Sequence, residues 1–245
     1  MKKRSTKKPA VVSREKWLAA RRRLLRQGKT LDRQRDQLSR RRRELPRVKV
    51  DKTYVFTTPA GKQTLAELFA GRNQLIVYHF MLGPDWEEGC RGCSFVSDHF
   101  DGALAHLGAR DVTLTAVSSA PLKKISAFKK RMGWRFPWVS SHGTAFNHDY
   151  GVTFTPAEIA QGKVNYNYAL REIGMEELPG LSVFARDTSG AIYHTYSTYA
   201  RGLDLLIGTY NLLDLVPKGR DEDALEQKMS WVRHRDRYEP APAAR

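Results

Sequence analysis

The sequence predicts an α/β fold: an αβα sandwich around a mixed central sheet, entered through an N-terminal β-hairpin and preceded by a basic helical arm. Three observations predict it. Strand and helix patterns alternate between Gln74 and Ser141, and parallel strands need such crossover helices. The alternation then ends in two strands around a four-residue turn and a last helix, so the sheet is mixed. All of the net charge lies in the first 50 residues, which sets them apart from the rest.

The 245-residue chain has a formal net charge of +16. Residues 1–50 hold 20 of its 42 Lys and Arg and 4 of its 26 Asp and Glu, leaving 22 of each sign for residues 51–245. Residues 1–46 form the arm. Met1 to Pro9 has nothing to bury and is expected to be disordered. From Ser13, a residue suited to an N-cap, the pattern is helical. Trp17, Leu24, Leu31, Leu38 and Leu45 recur every seven residues, with Leu18 and Leu25 beside the first two. The companion positions are mostly Arg, Gln and Gly, so the stripe is too narrow for a self-sufficient coiled coil. It suits a helix that docks on the core or on a second copy of the chain, which makes a homodimer one expectation. Nucleic acid is not expected as a partner, because charge alone gives only non-specific attraction. No hydrophobic region follows the basic N-terminus as in a secretory signal. The longest apolar run, Leu75 to Leu82, is interrupted by Tyr78 and His79 and reads as a buried strand rather than a membrane span. The protein is expected to be cytoplasmic.

Residues 47–216 form the folded domain. Tyr54 to Leu65 reads as a hairpin around Pro59-Ala60-Gly61, and Ala66 to Gly71 as a short helix with a glycine C-cap. Gln74 to Met81 is a hydrophobic strand, and Leu82 to Gly89 a loop. Cys93 to Leu107 follows as a helix, with Val96, Phe100, Leu104 and Leu107 on one face. Asp111 to Ser118 is a β-branched strand. Pro121 opens a helix that carries Leu122, Ile125, Phe128 and Met132 at helical spacing. Phe136 to Ser141 is a strand, and Thr144 to Tyr150 a short helical turn. Residues 151–178 have no clear period and read as an insertion. Leu181–Arg186 and Ala191–Thr198 flank the turn Asp187-Thr-Ser-Gly190. A last amphipathic helix carries Leu203, Leu206, Ile207, Tyr210 and Leu213 and stops before Pro217. Residues 217–245 are a polar tail, expected to be at least partly disordered.

Cys90 and Cys93 are the only cysteines of the chain. A disulfide at that spacing closes too small a loop to staple a fold, so the pair points to redox chemistry or metal binding. Its placement says more: it follows the most hydrophobic strand and opens a helix. Ligand sites collect at the carboxyl ends of strands in open α/β sheets, and a helix start favours thiolate over thiol. Arg91 acts in the same direction while Glu87 and Glu88 act against it, which leaves the net shift unsigned. Cys90 is the expected attacker and Cys93 the resolving thiol. Trp86 and Arg91 flank the pair as candidate groove residues. His79 is either a proton acceptor for Cys93 or a satisfied core histidine. For a metal, Cys90, Cys93 and His99 are the available ligands. A second ligand pair is missing, so no metal is expected.

Pro179-Gly-Leu-Ser-Val-Phe184 resembles the proline-then-strand segment that thioredoxins place against their cysteines. The resemblance implies that Pro179 shapes the substrate groove, with Leu178–Pro179 as the candidate cis bond, the alternative being a trans proline that starts a strand. The hairpin, the run from Leu65 to Tyr78, and Phe136-Pro-Trp-Val-Ser followed by Tyr150-Gly-Val resemble peroxiredoxins. That family places Thr or Ser three residues before its reactive cysteine and an activating Arg near the position of Leu181. Here the first position is Glu87 and the Arg is absent, so a peroxiredoxin-like thiol peroxidase is the second expectation.

Three stretches together, Tyr78-His-Phe-Met-Leu-Gly-Pro-Asp-Trp-Glu-Glu-Gly-Cys-Arg-Gly-Cys-Ser94, Arg131 to Ser141 and His194 to Asp204, resemble the bacterial domain-of-unknown-function family eight-nine-nine. Its members are described as thioredoxin-like dithiol–disulfide oxidoreductases. The resemblance implies a thioredoxin-like fold and carries no substrate. Within the third stretch, His194, Tyr196 and Arg201 either line a pocket near the cysteines or form a polar network that locks strand to helix. The expected function is thiol–disulfide exchange, with protein or small-molecule disulfides as partners and a cellular dithiol as reductant. No glycine-rich phosphate loop is present, so no organic cofactor is expected. A non-enzymatic binding or assembly protein that acts through its basic arm is the alternative from another class.

Overall fold

Ser13 starts the first element of the computed structural model, which describes residues 9–239. The expected disorder of Met1 to Pro9 therefore falls, as far as Lys8, outside the described residues. Contacts divide the chain into two units, one ending at Pro46 and the other beginning at Arg47. In the first unit, Ser13 caps helix α1 (Arg14–Arg43) by accepting the Lys16 N–H. Glu15 in the first turn and Arg40 to Arg43 in the last complement the helix dipole. No residue of α1 is buried, and Trp17, Leu24, Leu31 and Leu38 are exposed along it.

In the second unit, strand β1 (Val48–Lys49) leads into the hairpin of β2 (Val55–Thr58) and β3 (Gly61–Thr64). Next come β4 (Gln74–His79), α2 (Arg91–Ser97), α3 (Leu104–Gly108), β5 (Val112–Ser118), α4 (Leu122–Met132) and β6 (Trp138–Ser140). Then α5 (Phe146–Asp149) precedes α6 (Pro156–Ala160) and the small hairpin of β7 (Val164–Tyr166) and β8 (Ala169–Arg171). The long hairpin of β9 (Gly180–Arg186) and β10 (Ile192–Tyr199) and the helix α7 (Gly208–Leu213) complete the set.

Eight strands form one sheet in the order β1-β10-β9-β4-β5-β6-β2-β3. β4, β5 and β6 are parallel, while β9 runs antiparallel to β4 and pairs with β10. A βαβ unit flanked by an antiparallel hairpin on the side of its first strand is the thioredoxin-like arrangement, and it puts β4 at the centre. Alternation along β4 divides the core. Leu75 and Val77 face Phe56, Phe69, Phe146 and Phe184. Ile76 and Tyr78 face the other side, with Val96 of α2, Ile125 and Phe128 of α4 and Tyr210 of α7. The fold is thus the mixed α/β sandwich with an N-terminal hairpin that the sequence predicts.

Three expectations change. The helix expected from Cys93 to Leu107 is broken after α2, because Asp98 and Asp101 turn to other partners. Asp98 accepts the Trp134 indole N–H, and Asp101 accepts the backbone N–H groups of Arg135 and Phe136. The left-handed cap after Phe69 is Ala70, ahead of Gly71. Residues 151–178 are folded: a capping box between Thr155 and Glu158 starts α6. Val152, Phe154, Val164, Tyr166 and Tyr199 make a small core of their own.

On the face of Leu75, a chain of polar side chains crosses the sheet. His79 Nδ1 meets Asn147 Oδ1 at 3.2 Å, and its Nε2 meets Ser182 Oγ at 2.9 Å. Ser182 and Ser197 are 2.9 Å apart, and His194 Nε2 meets Ser197 Oγ at 2.7 Å and the Tyr196 carbonyl at 3.1 Å. One proton order satisfies every bond: His194 donates to Ser197, Ser197 to Ser182, Ser182 to His79, and His79 to Asn147. This order requires a neutral His79, and burial holds it that way by pushing its pKa down to about 4, with the nearby His194 acting in the same direction. Between pH 6.5 and 4 the unfolded chain binds a proton that the native one excludes, so stability falls on acidification. Denaturant titration should show a loss over this range on the order of 3 kcal/mol from this group alone. His79→Gln should flatten the slope; an unchanged slope would reject the assignment.

Candidate active site

The loop after β4 positions both cysteines through one residue. The Met81 carbonyl accepts the Cys90 N–H at 3.0 Å, and the Met81 N–H points at Cys93 Sγ at 3.5 Å. Cys90 is the N-cap of α2, and its carbonyl accepts the Ser94 N–H and hydroxyl. Its side chain is half-buried, whereas Cys93 in the first turn is 2% exposed. Both are free thiols.

Their surroundings drive the two thiols apart. The Cys93 thiol donates to the Cys90 sulfur, the strongest influence bringing Cys90 down to about 6. Burial opposes this, while the N–H groups of Cys93 and Gly92 and the charge of Arg91 reinforce it. Cys93 moves up, chiefly through burial and then through its bond to Cys90 and the Cys90 charge. The Tyr78 hydroxyl is fully buried, has no nitrogen or oxygen partner among the described residues, and faces the Cys93 sulfur. Glu88, which the sequence sets against a Cys90 thiolate, is instead paired with Arg131 and Arg237.

Of the other predicted positions, two lie by the cysteines and the rest are scattered. Trp86 is half-buried and packs on the cluster that contains both cysteines, and Arg91 is exposed beside Cys90. No described peptide bond is cis, so Leu178–Pro179 is trans; the Pro179 carbonyl accepts the Tyr166 hydroxyl at 2.7 Å. His79 and His194 lie across the sheet from the cysteines, His79 stacked with Phe146 and Tyr150 and His194 tilted against Phe184. Tyr196 pairs with Val183 along the β9–β10 ladder. Arg201 is exposed and pairs with Asp204 in its own turn. The structure therefore does not join His194, Arg201 and the cysteines in one pocket. His99 bonds the N–H and hydroxyl of Thr209, and no group of three His, Cys, Asp or Glu able to hold a metal occurs among the described residues.

Two parts of the surroundings are not apparent from the sequence. Glu177, in the insertion, is 4% exposed and accepts the Ser119 hydroxyl and the Leu82 N–H. The tail folds over the cysteine loop instead of trailing away. Glu222 accepts the Tyr210 hydroxyl at 2.7 Å, the Trp231 indole at 2.6 Å and the Met229 N–H at 3.3 Å. Met229 then lies beside Gly92, where an added Cβ would stand 3.5 Å from its methyl and 3.7 Å from Cys90 Sγ. Fully buried His234 reaches the Gly89 carbonyl at 2.8 Å. Gly89 itself has no room for a side chain, since a Cβ would come within 2.7 Å of Phe80 and Phe128. The polar composition that suggested disorder hides these few anchors among charged residues; residues 240–245 lie outside the described part. His234→Ala should lower stability by about 2 kcal/mol through the unpaired Gly89 carbonyl, read as a lower urea midpoint. A loss under about 0.5 kcal/mol would show that the strap does not hold the loop.

No helix among the described residues is long and apolar enough to cross a membrane. Comparison with solved structures finds several redox proteins at low similarity. A mutant of peroxiredoxin Q from Xanthomonas campestris is 14% identical, with 64% of this chain and 90% of that one covered and a TM-score of 0.43. Peroxidoxin BcpB from Mycobacterium tuberculosis is 15% identical, with 67% and 95% covered and a TM-score of 0.44. No curated protein sequence matches the chain. A family model does, over residues 6–238, and takes in the arm, the cysteine loop and the strap together. The chain belongs to the family described as bacterial protein of unknown function (DUF899).

Proposed function

We propose that the protein is a thiol–disulfide oxidoreductase in which Cys90 attacks a disulfide and Cys93 resolves the mixed disulfide. The observation that carries this reading is the split between the thiols: Cys90 is lowered to about 6 and is half-buried, while Cys93 is raised and enclosed. At neutral pH the attacking sulfur is therefore charged and the resolving sulfur keeps its proton until the first has reacted. On this reading Trp86, Arg91 and Pro179 serve as groove residues for the disulfide. The substrate is a protein or small-molecule disulfide, and a dithiol of a reducing, cytoplasmic environment returns the pair to the reduced state. A homodimer through α1 is part of the same reading. Peroxide reduction is the weaker reading, because Glu87, exposed three residues before Cys90, offers no hydroxyl to orient a peroxide.

The test is the pH dependence of Cys90 alkylation by iodoacetamide in a Cys93→Ala variant, followed by mass spectrometry beside the parent protein. The parent should react half-maximally near pH 6. Serine keeps a hydroxyl donor at this position whereas Cys93→Ala has none, so the midpoint should rise in Cys93→Ala. Cys90→Ser should abolish insulin reduction, and Cys93→Ser should accumulate a mixed disulfide. A parent midpoint at the ordinary thiol value of about 8.5, with disulfide reduction intact in Cys90→Ser, would refute the reading.

A further inference from the structure

Glu177 is a buried acid that the fold does not need as an acid. Its carboxyl accepts the Ser119 hydroxyl, from the loop after β5, and the Leu82 N–H, from the loop after β4. The oxygen of a glutamine could accept both bonds at lower desolvation cost. Among the described residues no ion pair to the carboxyl is found, and the charges of Glu176 and Cys90 act on it. Its place in the fold is specific. Ser119 also reaches the Leu82 carbonyl at 3.4 Å, and Leu82 follows Met81, the residue bonded to both cysteines. Glu177 thus stands at the carboxyl ends of β4 and β5, beside the start of β9, on the same loop cluster that holds the thiols.

On the oxidoreductase reading, we propose that Glu177 is the general acid that protonates the thiolate expelled when Cys90 attacks a disulfide. The Cys90 thiolate forms a bond to one sulfur of R–S–S–R′ as the S–S bond breaks. The electron pair leaves on R′–S⁻, takes the proton of Glu177 and departs as R′–SH. Cys90 ends in a neutral mixed disulfide, and Glu177 ends as a carboxylate. One negative charge has moved from Cys90 to Glu177, so the site neither gains nor loses charge.

The electrostatics suit this exchange. Burial pushes Glu177 up to about 7; Ser119 and Leu82 act against the rise, and the charges of Glu176 and Cys90 add to it. With Cys90 lowered to about 6, a thiolate and a carboxylic acid coexist between these values. When the Cys90 charge is consumed, one of the groups that keep Glu177 protonated disappears at the moment the proton is required.

Single-turnover reduction of two disulfides by the reduced protein tests the assignment. Hydroxyethyl disulfide expels an alkyl thiolate that needs a proton, whereas 5,5′-dithiobis(2-nitrobenzoate) expels a stable aromatic thiolate. Glu177→Gln should slow the alkyl disulfide about 10²-fold, with an effect at least tenfold smaller on the aromatic one. It should also remove the alkaline limb of the alkyl rate profile. Ser119→Ala keeps the acid and removes a bond to its ionised form, so it should move that limb to higher pH. Equal slowing of both disulfides by Glu177→Gln, or an alkaline limb unmoved in Ser119→Ala, would overturn the role of Glu177 and leave the cysteine chemistry standing. A parent protein that reduces neither disulfide would remove both readings.

Discussion

The backbone of Met81 holds the site together, because its N–H serves one cysteine and its carbonyl the other. Both bonds depend on β4 being central. Pairing with β5 on one side and β9 on the other fixes the strand, and Phe80 continues the alignment by donating to the Val117 carbonyl. The next residue can then project both of its backbone groups at α2. The helix in turn is fixed on the far side by aromatic packing of Phe95 with Tyr210 and Trp231. Displacing Met81 would loosen the contact that lowers Cys90, since that contact requires Cys93 to stay within reach of it. Thiol chemistry here is a property of sheet register as much as of two cysteines.

The sheet has two faces with different polar content. On the cysteine side, Tyr78, Phe80, Phe100, Phe128, Trp134 and Trp138 form a dry aromatic layer in which a lone carboxyl or thiol interacts strongly with its few neighbours. On the other side, the histidine–serine chain runs from Asn147 to the Tyr196 carbonyl with every link hydrogen-bonded. Such a chain fixes register between β4, β9 and β10, where a slip of one residue would leave several groups unpaired. The same residue type therefore has different meanings by face: His79 is a structural link, although it is adjacent in sequence to Tyr78 at the thiols.

Most of the sheet was legible because its signals are local. Gln74 to His79 and Val112 to Ser118 are apolar and β-branched, Asp187 to Gly190 is a turn, and Pro121 opens a helix. The cysteines were legible because their spacing and their place after a strand carry chemical meaning. What remained hidden was non-local. Glu177 has an ordinary surface-like neighbourhood in sequence, with Glu176 beside it, and becomes buried only when Ser119 and Leu82 meet it. Glu222, Met229 and His234 are single anchors in a charged segment without periodicity, and no window of sequence reveals their partners. The break after Ser97 was hidden for a related reason: Asp98 and Asp101 are spent on Trp134, Arg135 and Phe136 rather than on their own helix.

The strap also bears on the order in which the molecule is assembled. His234 and Arg237 contact Gly89 and Glu88 across separations of 145 and 149 residues, the longest-range bonds made by the cysteine loop. During synthesis the chain emerges from its N-terminus, so both thiols and the strands that frame them leave the ribosome well before their cover does. For that interval, which is many seconds at ordinary elongation rates of about 5–20 residues per second, the loop is without its cover. Residues 222–237 thus close over the cysteine loop after the strands that frame it have left the ribosome.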